Sequence, residues 1–165
     1  MKLIHSLTTA VLFAVSTHSF ADFSGQVVRI SDGDTITVLT NEKQQIRVRF
    51  NQIDAPESSQ AFGQRSRQNI SFLHQQIVYV QENSKDQYGR VLGTIFLVKN
   101  GRVPSLDFKY SVNFKQVQDG YAWAYRQYMT YQPLLVAEYQ AKQQKLGLWA
   151  DPNAIAPWVY RHTKK

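Results

Sequence analysis

The sequence predicts an α+β fold: a small closed β-barrel of five short strands with about three α-helices gathered on one side. Three observations point there. The strand-like runs are short and mostly joined by turn signals, as in hairpins. The helical patterns fall between and after the strands, which does not suit an alternating βαβ design. A chain of 165 residues with a hydrophobic fraction of 43% can build one real core and is too short for two ordinary domains.

The elements follow in order. Residues 1–21 read as a cleavable leader: a short polar start, an apolar run too brief to span a bilayer, and small residues before Asp22. Residues 22–165 then form a single exported domain, periplasmic or secreted, without stable membrane insertion. Phe23–Ile30 reads as the first strand, and Ser31, Asp32 and Gly33 as a turn. Residues 35–39 alternate, with Ile36 and Val38 on one face. A turn over 41–43 returns the chain into residues 45–53, where Ile46, Val48 and Phe50 oppose Arg47, Arg49 and Asn51. Pro56 ends that strand.

Residues 63–75 carry a helical pattern and residues 77–80 a short strand. Residues 83–90 read as a polar loop, and 91–98 as an apolar central strand followed by the Asn100, Gly101 hairpin signal. The stretch 106–117 fits no single pattern. Asp119 and Gly120 mark a helix stop before the aromatic run 121–125. The clearest helix is 133–146, opening on Pro133 and closing at Gly147. Residues 150–165 read as an extended tail packed through Trp149 and Trp158. This arrangement is that of an OB barrel, a fold that often binds nucleic acid but licenses no activity by itself.

Composition narrows the function classes. The charged fraction of 19% excludes a disordered chain. With 19 Lys+Arg against 12 Asp+Glu, the net charge of +7 suits an anionic partner. There is no cysteine, so an exported domain of this kind rests on its core, with a bound metal ion as a further source of stability.

Asp34 and Asp54 stand at the start of one strand and the end of the next, so a hairpin brings them together. Paired carboxylates suit Ca²⁺ or Mg²⁺, and the lack of Cys or a His cluster argues against zinc. On spacing alone, turn-shaping for Asp32 and Asp34 and strand-capping for Asp54 are the commoner roles. Glu57, just past Pro56, can take a proton from water or be an ordinary surface glutamate. Arg49 and Arg90 offer forked donors that match phosphate oxygens; Arg47 shares Arg49's face and can equally be a solvated charge. Tyr88, Tyr121 and Tyr125 can stack on bases or a sugar, whereas Trp123 reads as core. No P-loop, nucleophile elbow or HExxH is present.

Four segments appear in one order: DGDT (32–35), RFNQIDAPE (49–57), DQYGR (86–90) and KLGLW (145–149). Together they resemble the staphylococcal nuclease (thermonuclease) family over nearly the whole mature chain. The resemblance implies a Ca²⁺-dependent, secreted, sugar-nonspecific endonuclease on an OB barrel, hydrolysing DNA and RNA to leave 3′-phosphate ends, and it carries the expectation of a monomer. By position it makes Asp34, Asp54 and the backbone carbonyl of Ala55 the metal ligands. Arg49 and Arg90 become phosphate ligands, Glu57 the general base, and Tyr88 and Tyr125 nucleotide contacts. Ala55 stands where the best-known member has threonine, which keeps a carbonyl and loses a hydroxyl. The alternative is a non-catalytic OB-fold nucleic-acid-binding module, but the full set of site residues is retained.

Overall fold

The computed structural model describes residues 21–163. All of the predicted leader except Ala21 lies outside them. Five strands close a barrel in the order β1-β2-β3-β6-β5: β1 (Phe23–Ile30), β2 (Thr35–Thr40), β3 (Gln45–Phe50), β5 (Ile77–Lys85) and β6 (Val91–Leu97). Between β3 and β5, β4 (Ile53–Asp54) pairs with β7 (Trp123–Ala124) as a separate two-stranded ribbon. The helices are α1 (Gly63–Asn69), α2 (Val112–Gln118), α3 (Pro133–Gln143) and α4 (Pro157–Thr163), four where about three were expected.

The barrel closes because each strand buries one alternating set. Val27, Ile36, Val38, Val48, Phe50, Val78, Val80, Val91 and Ile95 are all at most 3% exposed, and aliphatic side chains of this size each contribute about 1.5–3 kcal/mol when removed from water. In β3 the expected split holds: Val48 and Phe50 are buried while Arg47 is exposed. A register irregularity between Val27 and Arg29 bends β1, which lets one strand serve β2 along its length and β5 at its start.

The barrel is mixed. β3 and β6 run parallel, with Val48 opposite Val91, Arg49 opposite Leu92 and Phe50 opposite Gly93. Local patterning cannot show this, because the chain first passes through β4, α1 and β5 before β6 returns beside β3. Nor does β5 stop at residue 80. It runs on to Lys85, where Ser84 and Lys85 face Leu92 and Val91, so most of the loop expected over 83–90 shrinks to a turn at the tip of a hairpin. The stretch 106–117 resolves into a 3-10 turn at Phe108–Tyr110 and then α2, whose N-cap Ser111 accepts from the Phe114 amide.

Gly120 follows α2 with φ 78°, as its place predicts. After α3, however, the first left-handed residue is Lys145 (φ 53°), with Gly147 two residues later. The tail is also different from its reading. It packs through Trp149 and Trp158, which meet Trp123 edge-on at 4.9 and 6.4 Å, but it forms α4 where an extended run was expected. Pro157 opens that helix, at the end where proline is tolerated.

One buried side chain ties this frame to the loop before β2. Gln116, fully buried on α2, donates Nε2 to the carbonyls of Gly33 (2.8 Å) and Ser66 (2.9 Å) and accepts from Asn69 Nδ2 at 2.8 Å. Gln116→Leu keeps the volume and strands those two carbonyls. We expect a loss of about 1–3 kcal/mol, read as a lower urea midpoint with an unchanged slope.

Candidate active site

Backbone pairing brings the two halves of the site together. Thr35 lies opposite Arg49 across the β2–β3 hairpin, and the Phe50 amide donates to the Asp34 carbonyl at 2.8 Å. The chain then turns so that the Ala55 amide donates to Asp34 Oδ2 at 2.7 Å. Glycine is required at position 33, where a Cβ would fall 1.8 Å from Ser66 Oγ and 2.9 Å from Ala55 Cβ. That close approach seats the loop before β2 directly against the loop after β4.

Asp34 and Asp54 are 3% and 1% exposed, and one guanidinium joins them. Arg49 Nη1 lies 2.5 Å from Asp34 Oδ1 and its Nη2 lies 2.7 Å from Asp54 Oδ1. Burial alone raises the Asp34 carboxyl, but the charge and hydrogen bonds of Arg49 and the Ala55 amide outweigh it and hold Asp34 below its ordinary value. Asp54 ends above its ordinary value, because burial and the nearby Asp34 charge exceed the help it receives from arginines. Asp32 accepts the Asp34 amide at 3.0 Å as a turn residue, and burial with the Asp34 charge pushes its carboxyl up to about 7. Its supporting role is therefore conformational.

A further arginine arrives from α4. Arg161 Nη2 donates to Asp54 Oδ2 at 2.8 Å, and Nη1 donates to Asp54 Oδ1 at 3.2 Å and to Glu57 Oε1 at 2.8 Å. Glu57 is 40% exposed on its side chain, with its amide held by Gln60 Oε1 at 3.2 Å. Across the cleft, Arg90 follows the hairpin tip, where Asp86 accepts the Tyr88 and Arg90 amides at 2.9 Å each and Arg90 Nε at 2.7 Å. Burial raises Asp86, yet these bonds more than offset it and keep the carboxyl below its usual range. Tyr88 is 75% exposed, with its ring centroid 5.6 Å from the Arg90 guanidinium carbon. Tyr125 stacks on Trp158 at 5.4 Å and 5°.

The eight residues that the family resemblance assigns to the site, Asp34, Arg49, Asp54, Ala55, Glu57, Tyr88, Arg90 and Tyr125, line one cleft of about 880 Å³. Tyr121 lines a different hollow, beside Arg65 and Phe72. Trp123 is buried, as its core reading required. The sequence reading missed Arg161 and Asp86. The four-residue spacing of Asp86 and Arg90 was a usable signal; nothing around Arg161 was.

Among the described residues, no three His, Cys, Asp or Glu side chains group as a metal cluster. The donors that could hold an ion are all hard oxygens: the Asp34 and Asp54 carboxylates, which reach the two ends of one guanidinium, and the neighbouring Ala55 carbonyl. That chemistry fits Ca²⁺ or Mg²⁺, with the remaining positions left to water or substrate.

A family model described as "Staphylococcal nuclease homologue" matches residues 47–151. The chain is 47% identical over 167 residues to "Micrococcal nuclease" of Shigella flexneri, covering 98% of this chain and 94% of that one. It is 39% identical over 164 residues to "Protein ParB" of Escherichia coli, covering 96% and 90%. An "Uncharacterized endonuclease" of Haemophilus influenzae is 41% identical over 141 residues, 85% of this chain and 74% of that one. Barrel, cleft and matches together define a nuclease, a hydrolase of phosphodiester bonds. The chain belongs to the staphylococcal nuclease family.

Proposed function

We propose that the protein is a Ca²⁺-dependent, sugar-nonspecific endonuclease that hydrolyses DNA and RNA to 3′-phosphate ends. It acts as a monomeric single domain of residues 22–165, exported after loss of the leader. No described helix is long and apolar enough to cross a membrane. The observation that carries the reading is the Arg49 bridge between two buried carboxylates, with Glu57 beside it in the same cleft.

Asp34, Asp54 and the Ala55 carbonyl would hold the ion; when bound, Ca²⁺ supplies a hard Lewis acid beside the scissile phosphate. Glu57 takes the proton from the attacking water, and its partial exposure leaves an oxygen for that task. Arg49 fixes the carboxylates and lines the cleft, and Arg90 is steadied through Nε by Asp86; the N–H groups that each has left go to the phosphate oxygens as charge develops there. The water oxygen bonds to phosphorus as the bond from phosphorus to the 5′ oxygen breaks; the 5′ oxygen takes up a proton from solvent and leaves as a hydroxyl, and the phosphate stays on the 3′ side. Tyr88 and Tyr125 flank the nucleotide. A non-catalytic binding module would need neither the buried acid pair nor the glutamate.

Purified protein should degrade both DNA and RNA when Ca²⁺ is added and stop in excess chelator. The products should resist polymerase extension until treated with phosphatase. Equal degradation in chelator would overturn the metal role, and directly extendable ends would overturn the bond assignment.

A further inference from the structure

Arg161 reaches the cleft from α4, outside the barrel and beyond the residues 47–151 that match the family. It is delivered by a docked segment. Trp158 stacks on Tyr125 at 5.4 Å, Tyr160 Oη donates to the Ser59 carbonyl at 3.0 Å, and Gln60 Nε2 donates to the Ile155 carbonyl at 2.5 Å. Two of those anchoring contacts, Ser59 and Gln60, lie in the loop that also carries Glu57. The helix and the candidate base therefore share one support.

The guanidinium spans both Asp54 oxygens and Glu57 Oε1, yet its side chain remains 39% exposed to the cleft. Such a fork is built to take two oxygens at once, and the two non-bridging oxygens of a phosphodiester can accept it as the two oxygens of a carboxylate do. The cations already described are committed differently: Arg49 is held between two buried acids, and Arg90 is tied through Nε to Asp86. A water activated by Glu57 stands one hydrogen bond from that carboxylate and about 3–3.5 Å from the phosphorus it attacks. A guanidinium bonded to the same carboxylate is thus a side-chain swing from the phosphate oxygens.

We infer that Arg161 is a third phosphate-binding arginine, a catalytic group that exchanges its contacts with Asp54 and Glu57 for a non-bridging oxygen of the bound nucleic acid. The exchange frees Glu57 Oε1 from the donor that occupies it, and frees Asp54 from a competing cation, only when substrate is in place. The inference rests on the nuclease reading of the same cleft.

The test compares the parent with Arg161→Ala and Arg161→Lys, each checked for folding by circular dichroism and thermal melting. Binding of a fluorescein-labelled oligodeoxythymidylate is measured in EDTA across a range of KCl, and cleavage is measured with Ca²⁺. Arg161→Ala should bind about tenfold more weakly, with a salt slope smaller by about 0.7–1, and should lose about 10–100-fold in kcat. Arg161→Lys should recover the salt slope but only part of kcat, because an ammonium cannot fork. If the alanine variant binds and cuts as well as the parent or better, Arg161 is a plug on the acids and the inference fails. Full rescue of kcat by lysine would reduce it to a neutralising charge. Should the alanine variant not fold, Arg161→Gln carries the same comparison. A parent that cuts nothing with Ca²⁺ sinks the nuclease reading itself, whereas an active parent matched by Arg161→Ala sinks only the role of Arg161.

Discussion

Glu57→Gln should cut nucleic acid about 10²–10⁴-fold more slowly than the parent while binding oligonucleotide as well or slightly better. The amide keeps the size of the side chain and can still meet the water, but it cannot accept a proton at neutral pH. The fold should not notice. Glu57 is 40% exposed, and its one described ion pair is with Arg161, itself 39% exposed, so little stability rests on it. Single-turnover cleavage and fluorescence anisotropy on the same preparation separate the two effects. A variant that cuts at the parent rate would remove Glu57 from the proton transfer.

Arg49→Met should be the most destabilising single change in the site. Arg49 is 14% exposed on its side chain and bridges two acids whose side chains are 5% and 1% exposed. Methionine leaves those charges in the core with only Arg161 near Asp54, a situation that costs about 3–5 kcal/mol. The pH dependence has a definite sign. In the parent, Asp34 lies below its unfolded value, so its contribution is present above that value and lost as pH falls through the folded one. In the variant the carboxyls lose their partner and rise, so acid removes the unfavourable charge. The stability gap should therefore be widest near neutrality and narrow below about pH 4. Urea unfolding at the two pH values tests this; a gap that widens in acid would contradict the bridge.

The β2–β3 half of the site was legible because it is local. Strict alternation fixes which face Arg49 takes, and hairpin pairing alone carries Asp34 toward Asp54. Arg90 was legible only as part of an ordered set of motifs, since its partner in space, the Arg49 strand, is reached by a parallel pairing that no nearby residue announces. The extension of β5 through Asn83, Ser84 and Lys85 was hidden for a related reason. Polar residues are poor strand formers in isolation and become strand here through the ladder to β6. Arg161 was out of reach altogether. It contacts an acid 107 positions earlier, from a seven-residue helix too short to show a period.

The parallel seam between β3 and β6 has a consequence for how this cleft can change. Arg90 immediately precedes Val91, which faces Val48, and Val48 immediately precedes Arg49. Arg49 on β3 and Arg90 at the mouth of β6 are therefore about two rungs apart, and strand geometry puts their Cα atoms roughly 8 Å from each other. The seam works as a caliper. Side-chain substitutions can alter what either jaw carries, but only a slip of register can alter the opening, and a slip by one would turn the buried row outward. Longer or shorter turns at the Asp86–Gly89 tip re-aim one jaw and leave the gauge as it is.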